Sequence, residues 1–443
     1  MKQRDFKNKK VAILGLGVEG QSSAEFLRGQ GADVTALDEK GNPEYFNNLD
    51  AYDLILRSPG IKLSYLQNLG DKVTSHTKIF FDLCPCKIIG VTGTKGKGTT
   101  SSLIYEMLKL EGKDAYLGGN IGTPPLSFLE KLKKDSIVVL ELSSFQLQDL
   151  TKSPNLAVVL MVTREHLAPD RKEGTHQNYH SSVEGYIDAK RNILRYQTES
   201  DFAIVNKDYP ASRESDVHTA GQIFYASRED KVVEGCFVKN GKVTVRRGGV
   251  EEGIVETSKI LLPGKHNLEN VCAATMAAVL AGVDRKNIAQ VLRTFKGLEH
   301  RLELVAEKNG VRYYDDSFST TPETAIAAIE AFEVSEILIL GGSSKKSDFK
   351  ELGQVIFEKP NIKAIIGIGE EWEKIKEAIG HQRAGIEYIE DCKNMADIVA
   401  AASKIAESGN VVLLSPACSS FDMFENYKDR GEQFKKEVNN LLH

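Results

Sequence analysis

Short unbroken runs of Val, Ile and Leu, each followed by a stretch of helical periodicity, recur along this chain and limit its architecture more than any other feature. Strands are predicted at residues 11–17, 33–38 and 54–57, then at 87–93, 136–142, 156–162 and 202–206, and again at 337–341, 364–369, 386–389 and 411–414. Amphipathic stretches at 99–110, 185–196, 325–332, 371–379 and 396–406 lie between them. A strand that is apolar throughout is covered on both faces, and alternation with helices supplies the cover. The expected class is therefore α/β with parallel sheets. The pattern resets near residues 87 and 297, so three domains are expected, at 1–87, 88–297 and 298–443. Residues 220–260, with Gly-Gly turns and alternating Val, predict β-hairpins appended to the middle domain.

Charge and segment structure narrow the function classes. Lys and Arg number 57 against 62 Asp and Glu, a net charge of −5, with no clustered basic excess. Nucleic acid and anionic membrane surfaces are thus not expected partners. No apolar run approaches the roughly 18–20 residues of a membrane span. Lys2, Arg4, Lys7, Lys9 and Lys10 precede an apolar stretch as in a signal peptide, but Gly15, Gly17 and Glu19 interrupt it, and a first β-strand fits better. Six cysteines in 443 residues suggest no disulfide framework, and Cys84-Pro85-Cys86 lacks the spacing of a CxxC redox or zinc pair. A reduced, cytoplasmic protein is expected.

The densest chemical signal is Gly93-Thr94-Lys95-Gly96-Lys97-Gly98-Thr99-Thr100, which follows the strand that begins at Lys87 and opens the helix at 99–110. Glycines let a backbone wrap a polyphosphate with its N–H groups inward, and the helix adds its positive end. Lys97 can reach β- and γ-phosphates, and Thr99 or Thr100 can meet Mg²⁺. Gly15-x-Gly17-x-x-Gly20, with Asp38 eighteen residues on, fits three readings: a dinucleotide fingerprint, close helix–strand packing, or a turn for the diphosphate of another nucleotide. Glu141 at a strand end can hold Mg²⁺ or be an ordinary polar terminus. His166, His176 and His180 fall in a segment with Pro169 and Gly174, where a solvated loop is expected rather than a zinc site.

Taken in order, these residues resemble the Mur ligase family across nearly the whole chain. The resemblance rests on residues 92–97, Gly119-Asn120-Ile121-Gly122, Glu141-Leu142-Ser143-Ser144, Glu165-His166, Ala189-Lys190, Gly264-x-His266-Asn267-x-x-Asn270 and Glu299-His300-Arg301-Leu302-Glu303. Residues 415–424, with Gly341-Gly342, Lys345, Asp348-Phe349, Tyr427 and Arg430-Gly431, are similar to the glutamate-adding branch. The resemblance implies a Rossmann-like N-terminal domain, a P-loop ATPase-like central domain and a Rossmann-like C-terminal domain. It also implies ATP-dependent amide formation through an acyl phosphate, in peptidoglycan precursor synthesis. The substrates would be UDP-MurNAc-L-Ala and glutamate, D-glutamate by the branch, with Mg²⁺ as cofactor and a monomeric enzyme.

Residue by residue, the resemblance makes Lys97, Glu141, His166 and Lys190 catalytic, Lys190 as a carbamylated side chain. Thr99, Glu141, His166 and Lys190 would serve the metal. Gly93, Thr94, Lys95, Gly96, Lys97, Gly98, Thr99, Asn267, Asn270, Arg301 and Asp316 would bind ATP. Gly17, Val18, Glu19, Asp38, Glu39, Pro59, Gly60, Asn120 and Ser143 would bind the UDP-sugar, which favours uridine over NAD(P) at the first glycine turn. Thr320, Lys345, Ser420 and Phe424 would receive glutamate. The chain departs from the family at Lys95, Gly98, Met161, Glu165 and Phe318. A related ligase adding L-glutamate or extending a folate, and an NAD(P)-binding oxidoreductase, are the alternative readings.

Overall fold

The computed structural model describes residues 5–38, 46–120, 122–163, 178–344, 347–380 and 385–441. The chain divides into two compact units, Met1–Lys259 with Leu268–Arg293, and Ile260–Asn267 with Thr294–His443.

The first unit holds two sheets. One has the order β2-β1-β3-β4, all parallel, from β1 (Lys10–Leu14), β2 (Asp33–Leu37), β3 (Leu54–Arg57) and β4 (Val73–Ser75). The other contains β5 (Lys87–Thr92), β6 (Ala115–Gly119), β7 (Ile137–Glu141), β8 (Leu156–Val159), β9 (Phe202–Asn206), β10 (Gln222–Ser227), β11 (Gly235–Lys239), β12 (Lys242–Arg247) and β13 (Val250–Glu256). Its order is β13-β12-β11-β10-β9-β8-β5-β7-β6. The hairpins expected at 220–260 form between β11 and β12 and between β12 and β13, as one end of the central sheet. β10 pairs parallel with β9 and β11 parallel with β10, so this segment continues the central sheet before turning antiparallel at β12 and β13.

Helices α1 (Val18–Gly29), α2 (His76–Leu83), α3 (Lys97–Leu110), α4 (Ser144–Leu147) and α5 (Val183–Arg191) belong to the same unit. Its two sheets share one core. Val11, Ile13, Leu27 and Phe80 pack in a cluster with Phe128, Leu140 and Val159. A buried ion pair adds to this seam: Arg57, fully buried at the end of β3, donates through Nη2 to Asp149 Oδ1 at 2.8 Å and through Nε to Asp149 Oδ2 at 3.1 Å.

The second unit carries β14 (Glu303–Lys308), β15 (Val311–Asp315), β16 (Glu336–Gly341), β17 (Ile362–Ile368), β18 (Glu387–Ile389) and β19 (Val411–Leu414), ordered β14-β15-β19-β16-β17-β18. All neighbours are parallel except β14 against β15. β16 is buried at every position and β19 likewise, as the unbroken apolar runs require.

In open parallel sheets, ligands bind beyond the strand C-termini where the strand order reverses. The reversals fall at β1, flanked by β2 and β3, at β5, flanked by β7 and β8, and at β16, flanked by β17 and β19. The glycine turns beginning at Gly15, Gly93 and Gly341 stand at those three strand ends.

Candidate active site

The turn after β5 is shaped by steric necessity. Gly96 has φ +84, and a Cβ there would lie 2.1 Å from Asn270 Oδ1, so only glycine lets the loop pass under that amide. Thr94 pins the loop from the other side. Its N–H donates to Met161 O at 2.7 Å, and its hydroxyl accepts from Thr163 N at 3.0 Å and lies 3.0 Å from the Tyr186 hydroxyl. α3 then opens at Lys97, and the N–H groups of a helix's first turn have no intrahelical acceptor. Two lysines meet at this loop. Lys97 Nζ donates to Gly93 O at 3.1 Å and Thr94 O at 2.9 Å. Lys190, 2% exposed on α5, donates to Gly93 O at 2.7 Å, its ammonium 4.7 Å from the Tyr186 ring centre.

Glu141 ends β7, the strand beside β5. Its carboxylate is buried, and Oε1 accepts from Asn120 Nδ2 at 2.8 Å. Thr100 Oγ1, at the start of α3, is buried with no hydrogen-bond partner among the described residues. A carboxylate and hydroxyls beside a glycine turn form an oxygen-rich donor set that fits a hard divalent cation. Ser143 caps α4 by accepting from Gln146 N at 3.2 Å, and Gln146 Oε1 returns the bond to Ser143 N at 2.8 Å.

At the first glycine turn, Leu16 N donates to Asp38 Oδ2 at 2.9 Å and Ser58 Oγ donates to Gly15 O at 2.7 Å. A Cβ on Gly20 would stand 2.1 Å from Gly15 O, which is the close helix approach the third glycine permits. Gly17 and Val18 are exposed at the start of α1. Pro59 and Gly60 are held by Asn178, whose Nδ2 donates to Pro59 O at 2.8 Å and whose N donates to Gly60 O at 2.7 Å.

Glu19 turns inward instead of facing solvent. Its Oε1 accepts from Gln146 Nε2 at 2.5 Å and its Oε2 is buried without a partner among the described residues. Burial pushes its pKa up to about 7, against the pull of the Gln146 bond and Arg57. A folded pKa above the unfolded 4.5 favours folding fully below pH 4.5, and the benefit is lost as pH rises through 7. The Glu19→Gln variant keeps the acceptor and cannot ionise. Its stability advantage over the parent is therefore expected to grow by about 2 kcal/mol between pH 5 and pH 8. Denaturant midpoints at the two pH values measure this, and an equal difference at both would refute the buried carboxyl.

In the second unit, Arg430 is fully buried and clamps two loops. It donates through Nε to Ser317 Oγ at 2.8 Å, through Nη2 to Ser317 O at 2.9 Å, and to Cys418 O and Ser419 O. Burial pushes it down to about 10, still charged at neutral pH. Asp316 is enclosed and engaged: Leu302 N and the hydroxyls of Ser319 and Ser415 donate to it, and burial pushes its pKa up to about 7. Arg301 lies over the Phe318 ring at 4.4 Å, and Tyr427 meets that ring edge-on at 5.2 Å. Thr320 is half-buried and Ser420 buried. Phe424 packs into the core with Ile339, Ile366 and Phe434, whereas Phe421 is 74% exposed. Asn267 donates to Pro263 O at 2.6 Å.

The structure thus brings Gly93, Thr94, Lys95, Gly96, Lys97, Gly98, Thr99, Asn270 and Lys190 to one loop, with Glu141 on the adjacent strand. Glu39, His166 and Lys345 lie outside the described residues, as does His176. His180 departs from the solvated loop expected of it. It is buried, stacked on Phe145 at 4.8 Å, with Nε2 2.9 Å from Ser144 Oγ. Tyr186, Asn178 and Gln146 were not singled out in the sequence. Tyr186 and Asn178 act through partners far along the chain, which no local pattern marks, whereas Gln146 carries a local signal, the Ser143-x-x-Gln146 capping box.

Comparison with known proteins follows the same lines. Residues 91–278 match the Mur ligase middle domain, and residues 300–418 match the Mur ligase, glutamate ligase domain. A UDP-N-acetylmuramoylalanine–D-glutamate ligase of Acetivibrio thermocellus is 40% identical over 99% of this chain and 98% of its own length. One of the same name from Ruminiclostridium cellulolyticum is 37% identical over 99% and 98%. Among solved structures, the UDP-N-acetylmuramoylalanyl-D-glutamyl-2,6-diaminopimelate–D-alanyl-D-alanyl ligase of Acinetobacter baumannii has a TM-score of 0.58 at 16% identity. It covers 98% of this chain and 93% of that one, a likeness of fold.

Proposed function

We propose a function from one premise: this chain belongs to the Mur ligase family. It is an ATP-dependent ligase that joins D-glutamate to UDP-N-acetylmuramoyl-L-alanine in peptidoglycan precursor synthesis. Full-length identity to ligases of that name supports the reading. The single structural observation that carries it is the pair of lysines, 97 and 190, meeting at Gly93 O above a glycine cradle at the central sheet's reversal point.

The chemistry follows from the weakness of a carboxylate as an electrophile. Transfer of the γ-phosphoryl group of ATP to the substrate carboxylate gives an acyl phosphate, and the glutamate amine then displaces phosphate. Lys97 would leave its loop carbonyls for the β- and γ-phosphates, where its charge offsets charge developing in the transition state. The loop from Gly93 to Thr99 would supply N–H donors to the same oxygens. Mg²⁺, when bound, would neutralise phosphate charge and favour in-line geometry. Glu141, Thr99 or Thr100, His166 and Lys190 are the residues proposed to serve it.

Lys190 would act as a carbamate. Its neutral amine adds to CO₂, forming an N–C bond and releasing a proton, which converts a buried cation into an anionic oxygen donor. The UDP moiety would bind at the Gly15–Gly20 and Ser58–Gly60 turns, and glutamate among Thr320, Lys345, Ser420 and Phe424. No helix among the described residues is long and apolar enough to cross a membrane. A cytoplasmic monomer is the proposed working form.

Purified protein should release phosphate only with ATP, Mg²⁺, the UDP-sugar and D-glutamate together. Turnover with another amino acid, and none with D-glutamate, would overturn the assignment. For Lys190→Ala, turnover is expected to fall on the order of 10²-fold and to recover in part with formate or acetate, since an anionic oxygen donor is what the variant lacks. The same salts should do nothing for a Lys97 variant. Equal response of both to carboxylate would remove the basis for a carbamate.

A further inference from the structure

Cys84-Pro85-Cys86 has no part in the chemistry above, and its spacing fits neither a CxxC redox pair nor a zinc pair. Its geometry tells more than its spacing. Cys84 ends α2 with extended dihedrals, φ −61° and ψ 123°, and Lys87 begins β5. In extended chain, residues i and i+2 face the same side, and here the two sulfurs come to 3.6 Å, the contact distance of an S–H···S bond. Cys84 Sγ also lies 3.6 Å from Cys86 O. Both residues are partly exposed, unlike buried Cys236, Cys272 and Cys418.

The two thiols are not equivalent. A proton shared between the two sulfurs holds Cys84 below the usual thiol range. Cys86 is pushed up by sharing that proton, by burial, and by the negative charge of Cys84, Asp114 and Asp135. Two partly exposed sulfurs at contact distance, the first inclined to lose its proton before the second, suit the roles of attacking and resolving cysteine.

We propose that Cys84 and Cys86 are a reversible dithiol–disulfide pair, oxidised by a small-molecule disulfide such as oxidised glutathione. The Cys84 thiolate attacks one sulfur of the oxidant, forming a mixed disulfide and releasing one thiolate. Capping Cys84 removes the shared proton and the adjacent negative sulfur, the chief causes of the high Cys86 value apart from burial. Cys86 then loses its proton and attacks Cys84 Sγ, forming the internal S–S bond and expelling the second thiolate. The protein gives up two electrons and two protons, and one oxidant disulfide becomes two thiols. So small a ring removes little chain entropy and is strained, which makes the bond labile, as suits a switch more than a staple. The pair stands at the entry to β5, the strand that ends at the Gly93 turn. The inference is independent of the ligase reading.

The test uses the whole reduced protein, equilibrated across ratios of oxidised to reduced glutathione, acid-quenched, alkylated and digested with trypsin. The expected product is the peptide 79–87, lighter by two hydrogens, unalkylated, and returned to the doubly alkylated form by reductant. In Cys86→Ser the same treatment should leave a lasting glutathione adduct on Cys84, and in Cys84→Ser the Cys86 thiol, still beside Asp114 and Asp135, should take up glutathione more slowly than Cys84 does in Cys86→Ser. Circular dichroism of each variant checks that the fold is kept. Independent alkylation of both thiols at every ratio, or adducts in the parent that never resolve, would overturn the proposal. Protection of both thiols by zinc under reducing conditions, with no internal bond at any ratio, would overturn it in favour of a chelating pair.

Discussion

Lys97→Ala is expected to lose at least about 10³-fold in turnover while its thermal midpoint stays close to the parent's. Removing one preorganised charge from a phosphoryl-transfer site typically costs about 10²–10³-fold, or roughly 3–4 kcal/mol in the barrier. The loss should sit at the upper end here, since a triphosphate and a substrate carboxylate would have to meet, and each cation offsets their mutual repulsion. Stability should be nearly untouched for a separate reason. Lys97 is half-buried, and its ammonium reaches the carbonyls of Gly93 and Thr94, the first of which also accepts from Lys190. The loop itself is held by other groups, the Thr94 bonds to residues 161 and 163 and the contact of Gly96 with Asn270. Phosphate release and a melting curve on the same preparation check both halves. Activity within about threefold of the parent would mean that Lys97 does not meet the triphosphate. A collapsed melting point would mean that its loop contacts are structural.

That loop also shows what could be read along the chain. The strands of all three sheets were foreseeable wherever both faces are covered, because burial on both sides forces runs such as β16 and β19 to be apolar throughout. β14 and β15 were missed, β15 because its Val-Arg-Tyr-Tyr-Asp sequence is not an aliphatic run although four of its five positions are buried. β14 is only half-buried along its length, so its Glu and Lys residues hide the strand. β6 carries two of its five positions as glycine and lacks the expected side chains. The glycine turn at Gly93 announced itself locally, but its shape depends on Asn270, far along the chain. His180 looked solvated because Pro169 and Gly174 precede it, whereas stacking on Phe145 buries it. In residues 415–424 the chain carries two phenylalanines, and only packing separates buried Phe424 from exposed Phe421. Pairing partners of residues 220–260 were equally out of reach, since hairpin signals are local and the bond of β10 to β9 is not.

The seam between β3 and the segment after α4 leads to the second large expectation, for Arg57→Ala. Arg57 has no exposed surface, and besides Asp149 it donates to Phe145 O at 2.9 Å and, at 3.4 Å, to Ser58 O and Ile61 O. Truncation would leave Asp149, itself only 14% exposed, without its counter-ion and would strand several carbonyls beside a cavity. Breaking a buried pair from one side costs roughly 3–5 kcal/mol. Asp149→Ala alone should cost a similar amount, and the double variant much less than the sum, because the second change removes the charge that the first left bare.

The functional effect should be selective. Arg57 directly precedes Ser58, whose hydroxyl holds the Gly15 turn, and Pro59-Gly60, which Asn178 fixes. Loosening that seam disturbs the proposed uridine-nucleotide turns but not the cradle at Gly93. KM for the UDP-sugar is therefore expected to rise about tenfold or more, with KM for ATP within about twofold, since the lost contacts belong to binding and not to the transferring phosphate. Additive single-variant costs would show that Arg57 and Asp149 do not act as a pair. An equal rise in both KM values would show that the seam supports the whole unit, not the first turn alone.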